Sequence, residues 1–206
     1  MLDRWTLRLV RGPLEGGAEL LKKRGIAPDQ VSLVSFLIGI TAVPFLASQA
    51  YFAALCCILL NRIGDGLDGA LARRTKVSDS GAFLDIVLDF LFYSAVVVGF
   101  ALADPGANSL AAAILIFSFV GTGSSFLAFA VMAERIGITS IAYSGKGFYY
   151  LGGLTEGTET IIFFVLFCIL PGYFAILAYV FAFLCGLTTV IRVISGYYTI
   201  KTAGKL

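Results

Sequence analysis

The chain has 206 residues, 59% of them hydrophobic and only 14% charged, with a mean hydropathy of +0.93. A soluble domain is nearer half apolar and a quarter charged, so these values exclude one and point to an integral membrane protein. The apolar runs are also too long and too closely spaced for strands of a lipid-facing barrel, so the expected fold class is all-α, a polytopic membrane protein.

Residues 1–28 read as an interfacial region. Leu2, Trp5 and Leu9 fall on one helical face and Arg4, Arg8 and Arg11 on another, the pattern of a helix lying among lipid headgroups. No apolar stretch of signal-peptide type follows these arginines. Pro13 is expected to open a second short helix, with Leu14, Ala18 and Leu21 apolar against Glu15, Glu19 and Lys22. Lys22, Lys23 and Arg24 then form a basic cluster.

Ala27-Pro28-Asp29-Gln30 has the character of a helix start. The first expected span is 31–47, with a kink near Pro44, and Ser48-Gln49 is the turn that follows. The second span is 50–73 and the third 81–103. Residues 104–109 read as a turn, and the fourth span is 110–133, where Gly121, Gly123, Ser124 and Ser125 offer a close-packing face. A polar, glycine-rich segment over 134–157 leads to a short fifth span at 158–170. Thr155 or Thr158 is expected to cap it, with Glu156 and Glu159 in the first turn. Pro171-Gly172 turns into the sixth span, 173–194. One domain, 1–206, accounts for the chain, with no internal repeat.

Charge tests this layout. The turns at 48–49, 104–109 and 171–172 carry no Lys or Arg, whereas the other side collects the N-terminal cluster, Arg73, Arg74, Lys76, Arg135, Lys146, Lys201 and Lys205. Positive residues gather in cytoplasmic loops, so both termini are expected in the cytoplasm, in the inner or plasma membrane of a cell. The net charge of +2 names no partner, and no nucleic acid is expected as one. Cys56, Cys57, Cys168 and Cys185 all lie in apolar runs and read as small buried hydrophobes rather than a disulfide framework or zinc site.

Chemistry concentrates between the second and third spans. Asp65 and Asp68 share a helical face at i, i+3, and Asp85 and Asp89 share another at i, i+4. A short break over 74–80 would fold one helix back on the other and bring four carboxylates together at the cytoplasmic face. Ionisable groups inside spans are rare and default to function. The structural alternative is ion pairing to Arg62, Arg73 or Arg74. It is weak, because two like charges near 4 Å repel by about 4 kcal/mol at an effective dielectric of 20. Divalent cations neutralise such a cluster better. The chain has no histidine, so only oxygen donors are on offer, which favours Mg²⁺, with Mn²⁺ or Ca²⁺ also compatible.

A hard cation held by few carboxylates meets substrate phosphates. Gly66, Gly69 and Gly81 remove side chains where a ligand would approach, though helix packing explains glycines equally well. Arg73, one turn beyond Gly69, would hold a phosphate with its planar fork, and Arg74 reads as a snorkelling interfacial arginine. Without histidine, a general base must be a carboxylate, Lys or Tyr, and one of the four aspartates is the economical choice.

The run Asp65-xx-Asp68-Gly69-xx-Ala72-Arg73, seven residues, Gly81-xxx-Asp85-xxx-Asp89 resembles the signature of the CDP-alcohol phosphatidyltransferases. The resemblance implies transfer of a phosphatidyl group from a CDP-linked lipid, usually CDP-diacylglycerol, to an alcohol, with release of CMP, in phospholipid synthesis. It implies that Asp65, Asp68, Asp85 and Asp89 bind two ions, Mg²⁺ or Mn²⁺, that Asp89 also activates the acceptor hydroxyl, and that Asp68, Gly69, Ala72, Arg73 and Gly81 line the CDP site. Homodimers are usual in this family. For a phosphorylated acceptor, Lys146, Arg192 and Arg135 are the candidate cations, with positive-inside topology as their alternative. Gly145-Lys146-Gly147 lacks the spacing of a phosphate-binding P-loop. The rival readings are an ion or proton transporter, whose charges should lie near mid-membrane, and a membrane prenyltransferase, whose aspartate motifs do not follow this pattern.

Overall fold

The structure, a computed structural model, describes residues 3–137 and 154–203, with side chains from residue 12 onward. The side chains of Arg4, Trp5, Arg8 and Arg11, and the whole segment carrying Lys146, lie outside the described residues. The described chain is helical: α1 (Asp3–Lys23), α2 (Pro28–Ile40), α3 (Ala42–Ala47), α4 (Tyr51–Arg74), α5 (Asp79–Ala103), α6 (Pro105–Arg135), α7 (Gly157–Ile169), and, after a 3₁₀ turn at Pro171–Tyr173, α8 (Phe174–Ala203).

Pro13 does not start a new helix; α1 runs through it as one rod. A helix-interior proline loses a single backbone bond, and here Leu14, Ala18 and Leu21 keep one apolar face that packs against Ala70, Leu71 and Val31. Arg74 ties the same rod to α4 through Glu19 at 2.8 Å and Glu15 at 3.4 Å, so it is an inter-helix clasp rather than a snorkelling arginine. Gly25, at φ +71°, ends α1: its N–H bonds the Lys22 carbonyl and the Ile26 N–H reaches back to Leu21.

The first expected span is broken in two at Thr41. Pro44 has no N–H to give the Ile40 carbonyl, so α2 ends there and α3 begins after one residue. The turn at Ser48-Gln49 is present. Gln49 takes a left-handed backbone at φ 61° and its side-chain amide donates to the Ala103 carbonyl at the end of α5. The expected turn over 104–109 shrinks to Asp104 alone, because its carboxylate caps α6 at the Ala107 N–H and Pro105 suits the first helical position.

Four of these elements are long and apolar enough to cross a membrane: Pro28–Ala47, Asp79–Ala103, Pro105–Arg135 and Pro171–Ala203. The helix α4 has 24 residues but carries Arg62, Asp65, Asp68, Arg73 and Arg74. With 13 residues, α7 reaches only about 20 Å at 1.5 Å per residue. Leu37, Phe52, Phe117 and Phe183 point outward, each more than 60% exposed, as lipid-facing side chains do. Inside, an aromatic core joins α4, α5, α7 and α8. Phe100 stacks on Phe174 at 4.7 Å and on Tyr51 at 6.0 Å, and Phe163 stacks on Phe181 at 4.3 Å. This core fills one end of the bundle; the aspartates occupy the other.

Small residues set the helix spacing. A Cβ on Gly64 would fall on the Ser35 side chain, so α2 and α4 touch backbone to backbone just before Asp65. Gly66 likewise receives Leu14 of α1, so it is a packing contact and not an opening for a ligand. On α6, Gly123 receives the Phe90 ring and Gly121 meets Thr189. Ser124 and Ser125 instead bond carbonyls of their own helix.

Candidate active site

Asp65 and Asp68 stand on the last turns of α4, and Asp85 and Asp89 on the first turns of α5. The break between them is closed by Ser78, whose hydroxyl accepts from the Gly81 N–H at 3.1 Å and caps α5. At the site α4 and α5 meet through these side chains, and α2 packs against both. Carboxylate oxygens of Asp65, Asp68 and Asp85 come within 4.8 Å of one another. A hard cation with metal–oxygen distances of about 2.1–2.6 Å bridges such a set with small side-chain movements, and the all-oxygen donors suit it. The three residues therefore fit a divalent ion.

Asp68 is only 6% exposed, and the Ser32 hydroxyl of α2 donates to its Oδ2 at 2.5 Å. Asp89 is held differently. Arg62 Nη2 donates to its Oδ1 at 2.5 Å, and the Tyr93 hydroxyl donates to its Oδ2 at 3.1 Å. Arg62 also lies 3.4 Å from Asp65 Oδ2. Ion pairing to an arginine, weighed against function in the sequence, therefore does occur, but through Arg62 alone of the three arginines named and on two of the four aspartates.

Two cavities flank the carboxylates. The first, of about 230 Å³, is lined by Asp68, Gly69, Ala72, Arg73, Gly81 and Asp85, which gathers every residue expected to contact CDP. Gly69 and Gly81 both line it; a Cβ on Gly69 would meet Arg73 at 3.4 Å, and one on Gly81 would sit 3.0 Å from Ser78 Oγ and 3.1 Å from Asp29 Oδ1. Lys76 also lines it, a second cation beside Arg73. The other cavity, of about 370 Å³, lies between α5, α6, α7 and α8, and its wall includes Asp85, Asp89, Tyr93, Thr122, Glu156 and Arg192. Asp85 belongs to both. Arg192 donates to the Thr122 carbonyl at 3.2 Å and lies over the Phe126 ring. Arg135 is exposed at the end of α6 and lines neither cavity; Lys146 lies outside the described residues.

At α7, the cap is Glu156 rather than Thr155 or Thr158. The Glu159 carboxylate accepts from the Glu156 N–H at 3.1 Å, while Thr155 pairs with the buried Thr188 hydroxyl at 3.0 Å and is drawn away from the helix end. Ser32, Tyr93 and Lys76 are site residues that the sequence did not single out, and Arg62 was named only as an ion-pairing alternative. Arg62 had a signal, since it lies one turn before Asp65 on the same helical face. Ser32 and Tyr93 had none beyond their spacing from Pro28 and Asp89.

The chain is similar to several known proteins. The chain is 55% identical over 202 residues to the inner membrane protein YnjF of Escherichia coli, covering 98% of each. It is 33% identical to an archaetidylinositol phosphate synthase of Pyrococcus horikoshii, over 65% of this chain and 77% of that one. Its fold resembles that of Mycobacterium tuberculosis phosphatidylinositol phosphate synthase solved with CDP-DAG bound, at a TM-score of 0.66 and 20% identity over 89% of this chain and 93% of that one. The same enzyme solved with manganese and citrate gives the same TM-score and identity, covering 89% and 88%. The family model for CDP-alcohol phosphatidyltransferase matches residues 25–194, and the chain belongs to that family of enzymes.

Proposed function

We propose that this enzyme transfers the phosphatidyl group of CDP-diacylglycerol to a phosphorylated polyol, of the inositol phosphate type, with release of CMP. The observation that carries the reading is the meeting of two cavities at Asp85, one lined by the CDP-type residues and one by Asp89 and Arg192. Arg73 and Lys76 would bind the donor's diphosphate. Arg192 would hold the acceptor's phosphate, and two relatives named as archaetidylinositol phosphate and phosphatidylinositol phosphate synthases point the same way. Mg²⁺ or Mn²⁺, held by Asp65, Asp68 and Asp85, would offset the negative charge that develops on the CMP leaving group.

The acceptor oxygen attacks the phosphorus attached to diacylglycerol, a new P–O bond forms, and the bond to CMP breaks with its electron pair leaving on CMP. The hydroxyl proton passes to Asp89, whose carboxylate borders the acceptor cavity and is oriented by Arg62 and Tyr93. In this reading α4 and α7 complete six crossings with the four longer spans, and the site and both termini face the cytoplasm, which the charge asymmetry of the loops supports. A homodimer is part of the same reading.

The test is CMP release by purified protein from CDP-diacylglycerol with Mg²⁺ or Mn²⁺, against inositol phosphate, inositol, glycerol phosphate, serine and choline. Turnover confined to an alcohol phosphate supports the reading. Turnover with serine or choline alone would remove Arg192 as the acceptor's anchor.

A further inference from the structure

Resting on the acceptor reading above, we propose that Glu156 is a specificity-determining residue of the acceptor cavity: its carboxylate takes hydrogen bonds from the hydroxyls of a polyol whose phosphate is held by Arg192. Among the described residues that line this cavity, Arg192 is the one cation and Asp85, Asp89 and Glu156 are the carboxylates. Asp85 converges with Asp65 and Asp68 where a metal fits, and Asp89 has the role of base. Glu156 is the carboxylate of this wall that the transfer itself does not use.

The chain around Glu156 is fixed on both sides. Before it, the Thr155 N–H donates to the Thr188 hydroxyl at 3.2 Å, and the two threonine hydroxyls pair at 3.0 Å; both residues are buried. Thr188 stands one turn before Arg192 on α8, so the two charged residues of the cavity are tied to one another through this pair. After it, a Cβ on Gly157 would lie 3.9 Å from the Tyr93 hydroxyl, which sets the start of α7 beside a ring that lines the same cavity as Asp89. The Glu156 side chain itself accepts from the Glu159 N–H in the α7 cap. A carboxylate offers about four lone-pair positions, more than a cap takes.

Hydrogen-bond accounting points the same way. The Thr122 hydroxyl donates to the Phe119 carbonyl and the Thr160 hydroxyl to the Glu156 carbonyl, each at 3.0 Å, so these lining hydroxyls spend their hydrogens on the protein. A polyol brings several donors of its own, and each must find an oxygen when water is displaced. Charge sets the orientation. An acceptor phosphate and the Glu156 carboxylate repel, so the phosphate turns to Arg192 and the hydroxyls turn to Glu156. A site that pairs with substrate hydroxyls rejects an analogue that lacks them, so this cavity should favour a hydroxyl-rich alcohol phosphate over a shorter one.

The test compares kcat/KM for inositol phosphate and for glycerol phosphate, at saturating CDP-diacylglycerol, in the wild type, Glu156→Ser and Glu156→Gln. The wild type should prefer inositol phosphate. Serine caps a helix well, so Glu156→Ser keeps the start of α7 and withdraws only the carboxylate. It should lower the preference by about 10- to 100-fold, through the KM for inositol phosphate, and leave the KM for the CDP-lipid unchanged. Glu156→Gln, with one acceptor oxygen in place of two, should fall between. A wild type that prefers glycerol phosphate, an equal loss with both acceptors, or an unchanged ratio would overturn the proposal and leave the phosphatidyl-transfer reading intact. A wild type that turns over neither alcohol phosphate would remove the proposal together with the acceptor reading. Should Glu156→Ser fail to fold, Glu156→Gln, which keeps the size of the side chain, decides.

Discussion

Gly64→Ala is the substitution whose outcome the packing fixes most closely. The added methyl would lie 2.6 Å from the Ser35 Cβ and nearer still to its Oγ, against the 3.4 Å at which ordinary contact begins. The hydroxyl is bonded to the Val31 carbonyl at 2.7 Å, and even rotated away it leaves the two Cβ atoms too close. The helices α2 and α4 must part by close to an ångström. Overpacking of this kind costs about 1–3 kcal/mol, and stretching the buried bond from Asn61 to the Ser35 carbonyl adds about 1 kcal/mol. At about 2–4 °C per kcal/mol for a chain of this size, the melting temperature should fall by roughly 5–15 °C. Thermal unfolding in detergent micelles, followed by tyrosine and tryptophan fluorescence, reads this directly. The partner substitution supplies the control. Ser35→Gly alone should destabilise by about 1 kcal/mol through helix propensity, yet combined with Gly64→Ala it should restore part of the loss by removing the obstacle. CMP release should follow the same order, because the parting of α2 and α4 carries Ser32 away from Asp68. A Gly64→Ala protein that melts within 2 °C of wild type, or a double variant in which the two losses simply add, would refute the contact.

Other substitutions separate the roles within the site. Asp89→Asn should lower CMP release by about 10²–10⁴-fold while donor binding, followed by displacement of a fluorescent CDP-lipid, stays near wild type; a fully active variant would take the base role from Asp89. Arg73→Ala should raise the KM for the CDP-lipid by about 10- to 100-fold, the loss of a charge-assisted contact worth about 1.5–3 kcal/mol, and unchanged kinetics would make Arg73 a topological arginine. Arg192→Ala should raise the KM for the phosphorylated acceptor by a similar factor and leave the donor KM alone, which initial-rate measurements in both substrates distinguish.

The site's outline was legible because its residues are polar exceptions in an apolar chain. Four aspartates at helical spacing, with glycine and alanine where a ligand must fit, stand out wherever the background is leucine and phenylalanine. What pairs with them was harder to see. Arg62 was one of three arginines that could pair with the aspartates, and only the fold shows that it is the one that reaches Asp89, 27 residues away. Lys76 falls in a connecting segment where basic residues are expected for topology alone. Helices occupy the apolar runs, four elements being long and apolar enough to cross a membrane, and the helix ends moved for local reasons. Asp104 and Pro105 started α6 five residues earlier than the apolar run, and the Leu14–Ala18–Leu21 face kept α1 intact across Pro13. The short break at Thr41 follows from Pro44, three residues downstream, and the expectation of a kink there anticipated its cause but not its place.

The shortness of α7 has a consequence for how a water-soluble substrate meets a lipid one. In the proposed six-span layout, a hydrocarbon layer of about 30 Å exceeds the roughly 20 Å that 13 helical residues span, so about a third of the thickness would go unmatched at this helix. Its C-terminal end is tied down at the far side, where Phe167 packs on Phe100 and Phe174. The deficit therefore falls at its N-terminus, beside Glu156, Thr160 and the cavity of Arg192. In that layout the bilayer would thin or water would enter there, forming a bay that dips below the headgroups on one flank of the bundle. In the proposed reaction, a polar alcohol would drift down that bay to Asp89 while the lipid tails of the donor stay in the oil.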